Sequence, residues 1–192
     1  IGFCLVGSEM CIRDRGFFLN CKKEFMDKYI LAIDAGTTSS RAILFDKDAN
    51  PVEISQYEFN QFFSKEGWVE HDPKEIWDTQ LKAIKEVIKK SKIDSKNIDS
   101  IGITNQRETT VIWNKDNGQP VYNAIVWQDR RTASFCDKLK KNNKSELIQN
   151  KTGLVIDAYF SGTKIKWILD SNSKIREQAD NGQLIFLSLI HI

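Results

Sequence analysis

Histidine, cysteine and long apolar runs are scarce in this chain of 192 residues. Its two histidines are His71 and His191, so His71 has no second imidazole nearby in sequence with which to build a metal site. Of four cysteines, Cys4, Cys11 and Cys21 precede Met26 and only Cys136 follows it. That excludes a disulfide framework and paired metal-ligand spacing, and a lone Cys on a helical pattern reads as a small buried hydrophobe. The apolar run Leu184–Ile192 is too short for a membrane span, and Ile1–Val6 does not make a signal peptide. Excess charge of one sign is also missing. The formal net charge is +2, which gives no electrostatic case for nucleic acid or a membrane surface. Lys138, Lys140, Lys141 and Lys144 read as one solvated helix end. There is no repeat, low-complexity segment or obvious linker.

The two ends carry a relation that composition does not reveal. Met10-Cys11-Ile12-Arg13-Asp14-Arg15 back-translates to ATG TGT ATA AGA GAC AG. The reverse complement, CTG TCT CTT ATA CAC AT, translates to Leu-Ser-Leu-Ile-His-Ile, which is Leu187–Ile192. One DNA element in opposite orientations looks like the transposon-end adapter of sequencing libraries. The expectation is that residues 1–25 are adapter-derived or leader, that 187–192 are adapter-derived, and that the native segment runs over 26–186 from Met26. Leaving out four bases (Arg13, Arg15, Lys22, Lys23) and three acids (Glu9, Asp14, Glu24) moves the balance from +2 to +1. About 160 residues then remain, enough for one domain with a core.

Within that segment the periodicity predicts strands over Tyr29–Ala35 and Arg41–Asp46, a third over Pro51–Phe59, and a loop over Asn60–Asp72. A helix is predicted from Asp72, with Asp72 as N-cap, Pro73 at the first turn and Glu75 completing a capping box. Its apolar stripe is Ile76, Trp77, Leu81, Ile84, Val87 and Ile88. A buried strand over Asp99–Thr104 ends at Asn105, and Thr109–Trp113 and Ala124–Trp127 read as further strands. Arg130–Lys141, Lys144–Asn150, Gly162–Asp170 and Ser173–Asn181 read as helices. His71, beside the cap, reads as a loop hydrogen-bonder.

The most informative stretch is Ile33-Asp34-Ala35-Gly36-Thr37-Thr38-Ser39-Ser40-Arg41. A Gly-Thr-Thr-Ser-Ser turn between apolar strands lets backbone N–H groups approach phosphate oxygens, and the hydroxyls add donors. Asp34 is a hard oxygen group suited to Mg²⁺, directly or through water. It is not a Walker loop, since no Gly-Lys-Ser/Thr follows. The alternative is an ordinary hairpin with a polar turn. Arg107 and Glu108 follow the buried strand directly and suit a polyol, the Arg donating and the Glu accepting; the alternative is a structural ion pair. Trp127 offers a flat wall for a small carbon skeleton or else packs in the core. Tyr159 supplies a phenolic contact or else staples the entry of the next helix. Ligands of open α/β sheets bind beyond the carboxyl ends of the strands, so Asp34 and Asn105–Glu108 are expected to face one cleft.

The strand-helix order and the hairpin resemble the ribonuclease H-like core of the actin, Hsp70 and sugar-kinase superfamily, an α/β fold with a mixed sheet and flanking helices. Together with Gly67-Trp68-Val69-Glu70-His71-Asp72-Pro73, Gly102–Thr110, Tyr122–Thr132, Thr152–Asp157 and Tyr159–Lys164, they resemble the FGGY carbohydrate kinase family from Lys28 to Phe186, and within it the members that phosphorylate glycerol. The resemblance implies ATP-dependent transfer of the γ-phosphoryl group to a terminal hydroxyl of glycerol, giving glycerol 3-phosphate in glycerol catabolism, by a cytoplasmic, homo-oligomeric enzyme of greater length. It implies that Asp34 holds Mg²⁺, that Thr37, Thr38 and Ser39 contact the nucleotide phosphates, and that Arg41 sits near the transferred group. It further implies that Arg107, Glu108 and Tyr159 hydrogen-bond glycerol over Trp127 as apolar floor.

By the same resemblance the general-base aspartate, the adenosine pocket and a second phosphate loop lie beyond Phe186, so the chain alone is expected to be inert. Ala35, Asp129 and Ala158 depart from residues common in the family. Two alternatives stay open: another FGGY sugar or polyol kinase, or a non-catalytic nucleotide-binding domain of the actin/Hsp70 type.

Overall fold

A computed structural model of the chain describes residues 28–188. Residues 1–25, expected to be foreign or leader, and the last four of 187–192 lie outside them. Two four-stranded sheets are present among the described residues. The first holds β1 (Tyr29–Ala35), β2 (Ser39–Phe45), β3 (Pro51–Glu58) and β5 (Ile98–Asn105) in the order β3-β2-β1-β5. The second holds β4 (Glu70–His71), β6 (Thr110–Asn114), β7 (Ala124–Ile125) and β8 (Leu184–Ser188) in the order β4-β7-β6-β8.

β1 pairs antiparallel with β2 and parallel with β5, and β2 pairs antiparallel with β3. This is the mixed sheet expected from the sequence. Its side chains alternate with the pleat: Leu31, Ala42 and Leu44 are buried under Ala83 and Val87 of α1 (Pro73–Ser91). The helix starts as its sequence dictates. Asp72 Oδ1 accepts from Lys74 N at 2.8 Å and Pro73 fills the first turn. Glu75, read as the reciprocal half of a capping box, instead accepts from Asn60 Nδ2 at 2.9 Å and fastens the incoming loop.

Two further expectations about this half are corrected. Trp77, assigned to the apolar stripe of α1, is 67% exposed, while Gln80 and Ala83 take buried positions. Gln80 is tolerated because its Nε2 donates to Arg41 O at 2.9 Å. The strand read as buried, β5, has Ile101 and Ile103 at 59% and 58% exposure. It is the edge of its sheet, and α1 packs over β2, β3 and part of β1.

Of the second sheet, the sequence reading held β6 and β7 as strands but not their pairing with β4 and β8. β4 lies inside the stretch read as a loop, β7 is only two residues long, and β8 was not anticipated. His71 is therefore a fully buried strand residue, not a loop hydrogen-bonder. Its ring meets Phe59 edge-on at 5.0 Å, neither ring nitrogen has a hydrogen-bond partner, and burial pushes its pKa down to about 4. Leu187 and Ser188 pair with Val111 and Thr110 through backbone bonds, which any sequence can make.

Helices α2 (Ala133–Lys141), α3 (Ser145–Thr152), α4 (Ser161–Ser171) and α5 (Ser173–Asp180) follow. Ile168 and Ile175 of α4 and α5 pack with Ile112 and Ile125 of the second sheet. Cys136 is buried with Ile156 and Ala158, as a small hydrophobe would be. No described helix is long and apolar enough to cross a membrane.

Candidate active site

The hairpin β1–β2 turns over Gly36-Thr37-Thr38; Ser39 and Ser40, expected in the turn, begin the second strand. Gly36 N donates to Ser39 O at 2.9 Å, and a Cβ on Gly36 would stand 3.0 Å from that oxygen, so only glycine fits without moving the turn. Thr38 is exposed and Thr37 half-buried, whereas Ser39 is buried. Ser40 Oγ meets Thr79 Oγ1 at 2.9 Å and fastens the hairpin to α1. Asp34 and Arg41 face each other across the strand pair, with Arg41 Nη1 3.8 Å from Asp34 Oδ2. Both side chains are more than a third exposed, and an ion pair so placed contributes about 0–1 kcal/mol. Arg41 Nε also donates to Gln56 Oε1 at 2.8 Å, which aims the guanidinium along the sheet.

The parallel register of β1 and β5 aligns Ala35 with Asn105, and Gln106 N donates to Ala35 O at 2.7 Å. The carboxyl ends of the two strands thus lie side by side, and Arg107, exposed, and Glu108, buried, follow beside the phosphate-type hairpin. Glu108 has φ +63°, a left-handed conformation that costs a non-glycine residue about 1–2 kcal/mol. Ser161 at the start of α4 holds it there. Ser161 N donates to Glu108 Oε2 at 2.9 Å and Ser161 Oγ at 2.7 Å. A carboxylate at a helix N-terminus is also favoured by the helix dipole. Ser161 uses two of roughly four acceptor positions on the carboxylate.

Trp127 joins the two regions. Its Nε1 donates to Thr37 Oγ1 at 3.1 Å, across 90 residues of sequence. Tyr159 meets the Trp127 ring at 5.9 Å and 67°, and Phe160 backs Tyr159 at 5.2 Å. Of the residues singled out in the sequence, Asp34, Thr37, Arg41, Trp127 and Tyr159 are thereby linked through the hairpin, and Arg107 and Glu108 stand at the neighbouring strand end. Ser39 has its side chain turned into the fold. Trp127 is half-buried, with its indole N–H bonded to the phosphate-type turn.

The sequence profile of the N-terminal domain of the FGGY family of carbohydrate kinases matches residues 29–191. The chain belongs to this family. The glycerol kinase of Clostridium perfringens is 60% identical over 162 residues, which are 84% of this chain and 32% of that protein. That of Borreliella afzelii is 61% identical over 159 residues, 83% of this chain and 32% of that protein. The chain thus spans about a third of the length of the curated relatives it matches. Among solved structures, a Plasmodium falciparum glycerol kinase with ADP superposes with a TM-score of 0.78 at 36% identity, covering 84% of this chain and 32% of that one. A gluconate kinase from Lactobacillus acidophilus does so with 0.71 at 26% identity, covering 84% and 31%. The ribonuclease H-like fold is the fold of these sugar kinases.

Two groups that frame the site in this FGGY domain escaped the sequence reading. The first is a buried charge network. The Arg131 side chain is fully buried and donates to Asp129 through Nε (2.9 Å) and Nη2 (2.8 Å), while Nη2 lies 2.7 Å from Glu70 Oε1. Its guanidinium sits 3.8 Å from the Trp68 ring and 4.6 Å from the Trp167 ring. Burial alone would raise the Glu70 carboxyl, but bonds from Asn123, Arg131 and Tyr122 and the Arg131 charge outweigh it and hold the pKa below the usual value. Asp129 Oδ2 also accepts from Val69 N at 2.7 Å, so the network ties β4 to the segment carrying Trp127. Asp129, noted only as a departure from the family pattern, is a structural anchor.

The second is Lys164, on α4 and fully buried. Its Nζ donates to Tyr159 O and, at 3.4 Å, to Glu108 O. Burial lowers its pKa to about 8, with the charges of Glu108, Asp129 and Asp157 opposing the fall. A Lys between Thr163 and Ile165 carries no sequence mark of burial. The one available signal was its position a single helical turn after Ser161.

Proposed function

We propose that the full-length protein carrying this chain is a glycerol kinase, which transfers the γ-phosphoryl group of ATP to a terminal hydroxyl of glycerol. The observation that carries this reading is the Trp127–Thr37 bond, which sets an apolar wall directly against a phosphate-type turn. Glycerol lying on that wall would have a hydroxyl beside the phosphate to be transferred. The identity of about 60% to glycerol kinases supports the same substrate, and the ADP of the Plasmodium falciparum neighbour supports a nucleotide donor.

In this reading Thr37, Thr38 and the turn amides donate to nucleotide phosphates, with Ser39 contributing through its backbone. Arg41 neutralises charge on the transferred group. Arg107 donates to glycerol hydroxyls, Glu108 accepts from them with the capacity Ser161 leaves, and Tyr159 adds its phenol. Phosphoryl transfer asks mainly for positioning and charge neutralisation, which this set provides in part.

Asp34 fits Mg²⁺ chemically: it is a hard, accessible carboxylate at the end of β1. No group of three or more His, Cys, Asp or Glu among the described residues could cage an ion. The fit is therefore to an ion that arrives on the nucleotide and takes one protein carboxylate. When bound, Mg²⁺ would neutralise charge on the phosphates. We further infer a homo-oligomeric, cytoplasmic enzyme, as the family resemblance implies. The test is glycerol-dependent ADP formation by the full-length protein against xylulose and gluconate. Preference for either sugar substrate would move the protein to another branch of the family, and ATP binding with no acceptor would favour a non-catalytic domain.

A further inference from the structure

We propose that Lys164 is a positioning residue which locks Glu108 and Tyr159 into one rigid polyol-binding edge. The proposal rests on the glycerol reading above and adds to it a residue that touches neither substrate nor nucleotide.

The geometry is specific. Lys164 lies on α4 three residues after Ser161, and both reach back to Glu108. Ser161 takes the carboxylate and Lys164 takes the carbonyl of the same residue. Lys164 also takes the carbonyl of Tyr159, on the other side of the helix start. One ammonium therefore bonds the backbones of two residues assigned to glycerol, which lie 51 positions apart in sequence.

The chemistry explains why a lysine stands there. Burying an ammonium is costly, and an apolar side chain would fill the same space without that cost. What only Lys supplies is three donors on a thin flexible stem, able to meet two convergent carbonyls. Glu108 needs such help because its left-handed backbone is unfavourable for a residue with a Cβ. With the clamp released, Glu108 can relax to an ordinary conformation, which swings its carboxylate and the adjoining Arg107 away from the cleft. Tyr159 would move with it, and the edge it shares with Trp127 would loosen.

The groups facing the ammonium are the Glu108, Asp129 and Asp157 carboxylates and the Cys136 thiol. They come from the β5–β6 connection, the segment before α2, the segment before α4, and α2 itself. All favour the charged form, and burial opposes them. Lys164 is charged at neutral pH and loses its proton at about pH 8. Loss of the proton turns the charge-assisted bonds to the two carbonyls into weaker neutral ones, so the edge should weaken as pH rises through that value.

The experiment is steady-state kinetics on the full-length protein and its Lys164→Met variant, with glycerol and ATP varied separately between pH 6.5 and 9. At pH 7 the variant should raise KM for glycerol by about tenfold and leave KM for ATP within about twofold. In the wild type, KM for glycerol should be flat up to about pH 7.5 and then climb, and in the variant it should be flat throughout. An unchanged KM for glycerol in the variant, or an effect confined to kcat, overturns the proposal. Should the variant not fold, the wild-type profile decides, and a flat KM for glycerol across pH 8 overturns it. A wild-type enzyme with no glycerol-dependent turnover overturns both this proposal and the glycerol reading, whereas normal turnover with no Lys164 dependence overturns this one alone.

Discussion

Replacing Arg131 by Met should destabilise the fold more at neutral pH than in acid. The guanidinium is the only cation bonded to Glu70 and Asp129 among the described contacts, and all three side chains are buried. Removing one partner of a buried ion pair costs about 3–5 kcal/mol, because the remaining charge is left without compensation. The lower end applies here. Tyr122 Oη (2.8 Å) and Asn123 Nδ2 (2.9 Å) still bond Glu70, and Val69 N still bonds Asp129. Loss of the contacts with Trp68 and Trp167 adds about 1 kcal/mol, for a total of about 4 kcal/mol. With a urea m-value of about 1.5 kcal/mol/M, the midpoint should fall by about 2.5 M.

The pH dependence separates charge from shape in that substitution. Wild-type Glu70 has a lowered pKa, so its contribution is complete above the usual carboxyl range and is lost as pH falls through the folded value. In the variant the bond and charge of Arg131 no longer offset burial, so Glu70 takes up a proton more readily than in the wild type, which relieves the unpaired charge. The gap between the two proteins should therefore narrow from pH 7.5 to pH 4.5. Urea unfolding followed by tryptophan fluorescence at both values measures it. A gap below about 1 kcal/mol at pH 7.5, or one that does not change with pH, would refute the reasoning.

His71, buried with a pKa of about 4, is protonated more readily in the unfolded chain. Its contribution to stability should be intact above pH 6.5 and should fall by about 3 kcal/mol between pH 6.5 and 4. The difference between wild type and His71→Phe in urea unfolding over that range isolates it. In the full-length protein, Trp127→Ala should raise KM for glycerol about tenfold, while Trp127→Phe, which keeps the wall but loses the bond to Thr37, should change it by about threefold or less. The 192-residue chain alone should show no glycerol-dependent ATP turnover in a coupled ADP assay. In the reading proposed above, Asp34 holds the metal and Glu108 is shared between Ser161 and the glycerol hydroxyls, which leaves neither as a base.

The parts of the fold that were legible in the sequence are those with a period or a cap. The alternation through β1 and β2, the Asp72-Pro73 start of α1 and the strand end at Asn105 placed the hairpin and the neighbouring ends of β1 and β5. The second sheet was legible only in β6 and β7: β4 is two residues long, too short for alternation to register, and β8 lies in a stretch read as foreign sequence from Leu187 on. The exposure of Ile101 and Ile103 was not legible either, since an apolar strand reads as buried whether or not an element covers it. At the site, Trp127 and Thr37 were picked out separately by chemistry, but their contact depends on a fold that closes 90 residues of chain. Arg131, Asp129 and Lys164 went unread for a related reason: charged side chains in sequence read as solvated, and their burial follows from partners supplied by distant segments.

The most direct test of the central claim is acceptor specificity in the full-length protein. ADP formation and the phosphorylated product are measured with ATP, Mg²⁺ and, in turn, glycerol, xylulose and gluconate. The account predicts glycerol 3-phosphate as the product, with kcat/KM for glycerol at least about a hundredfold above the other two. A preference for either sugar substrate, or no phosphorylated product from glycerol, would contradict it.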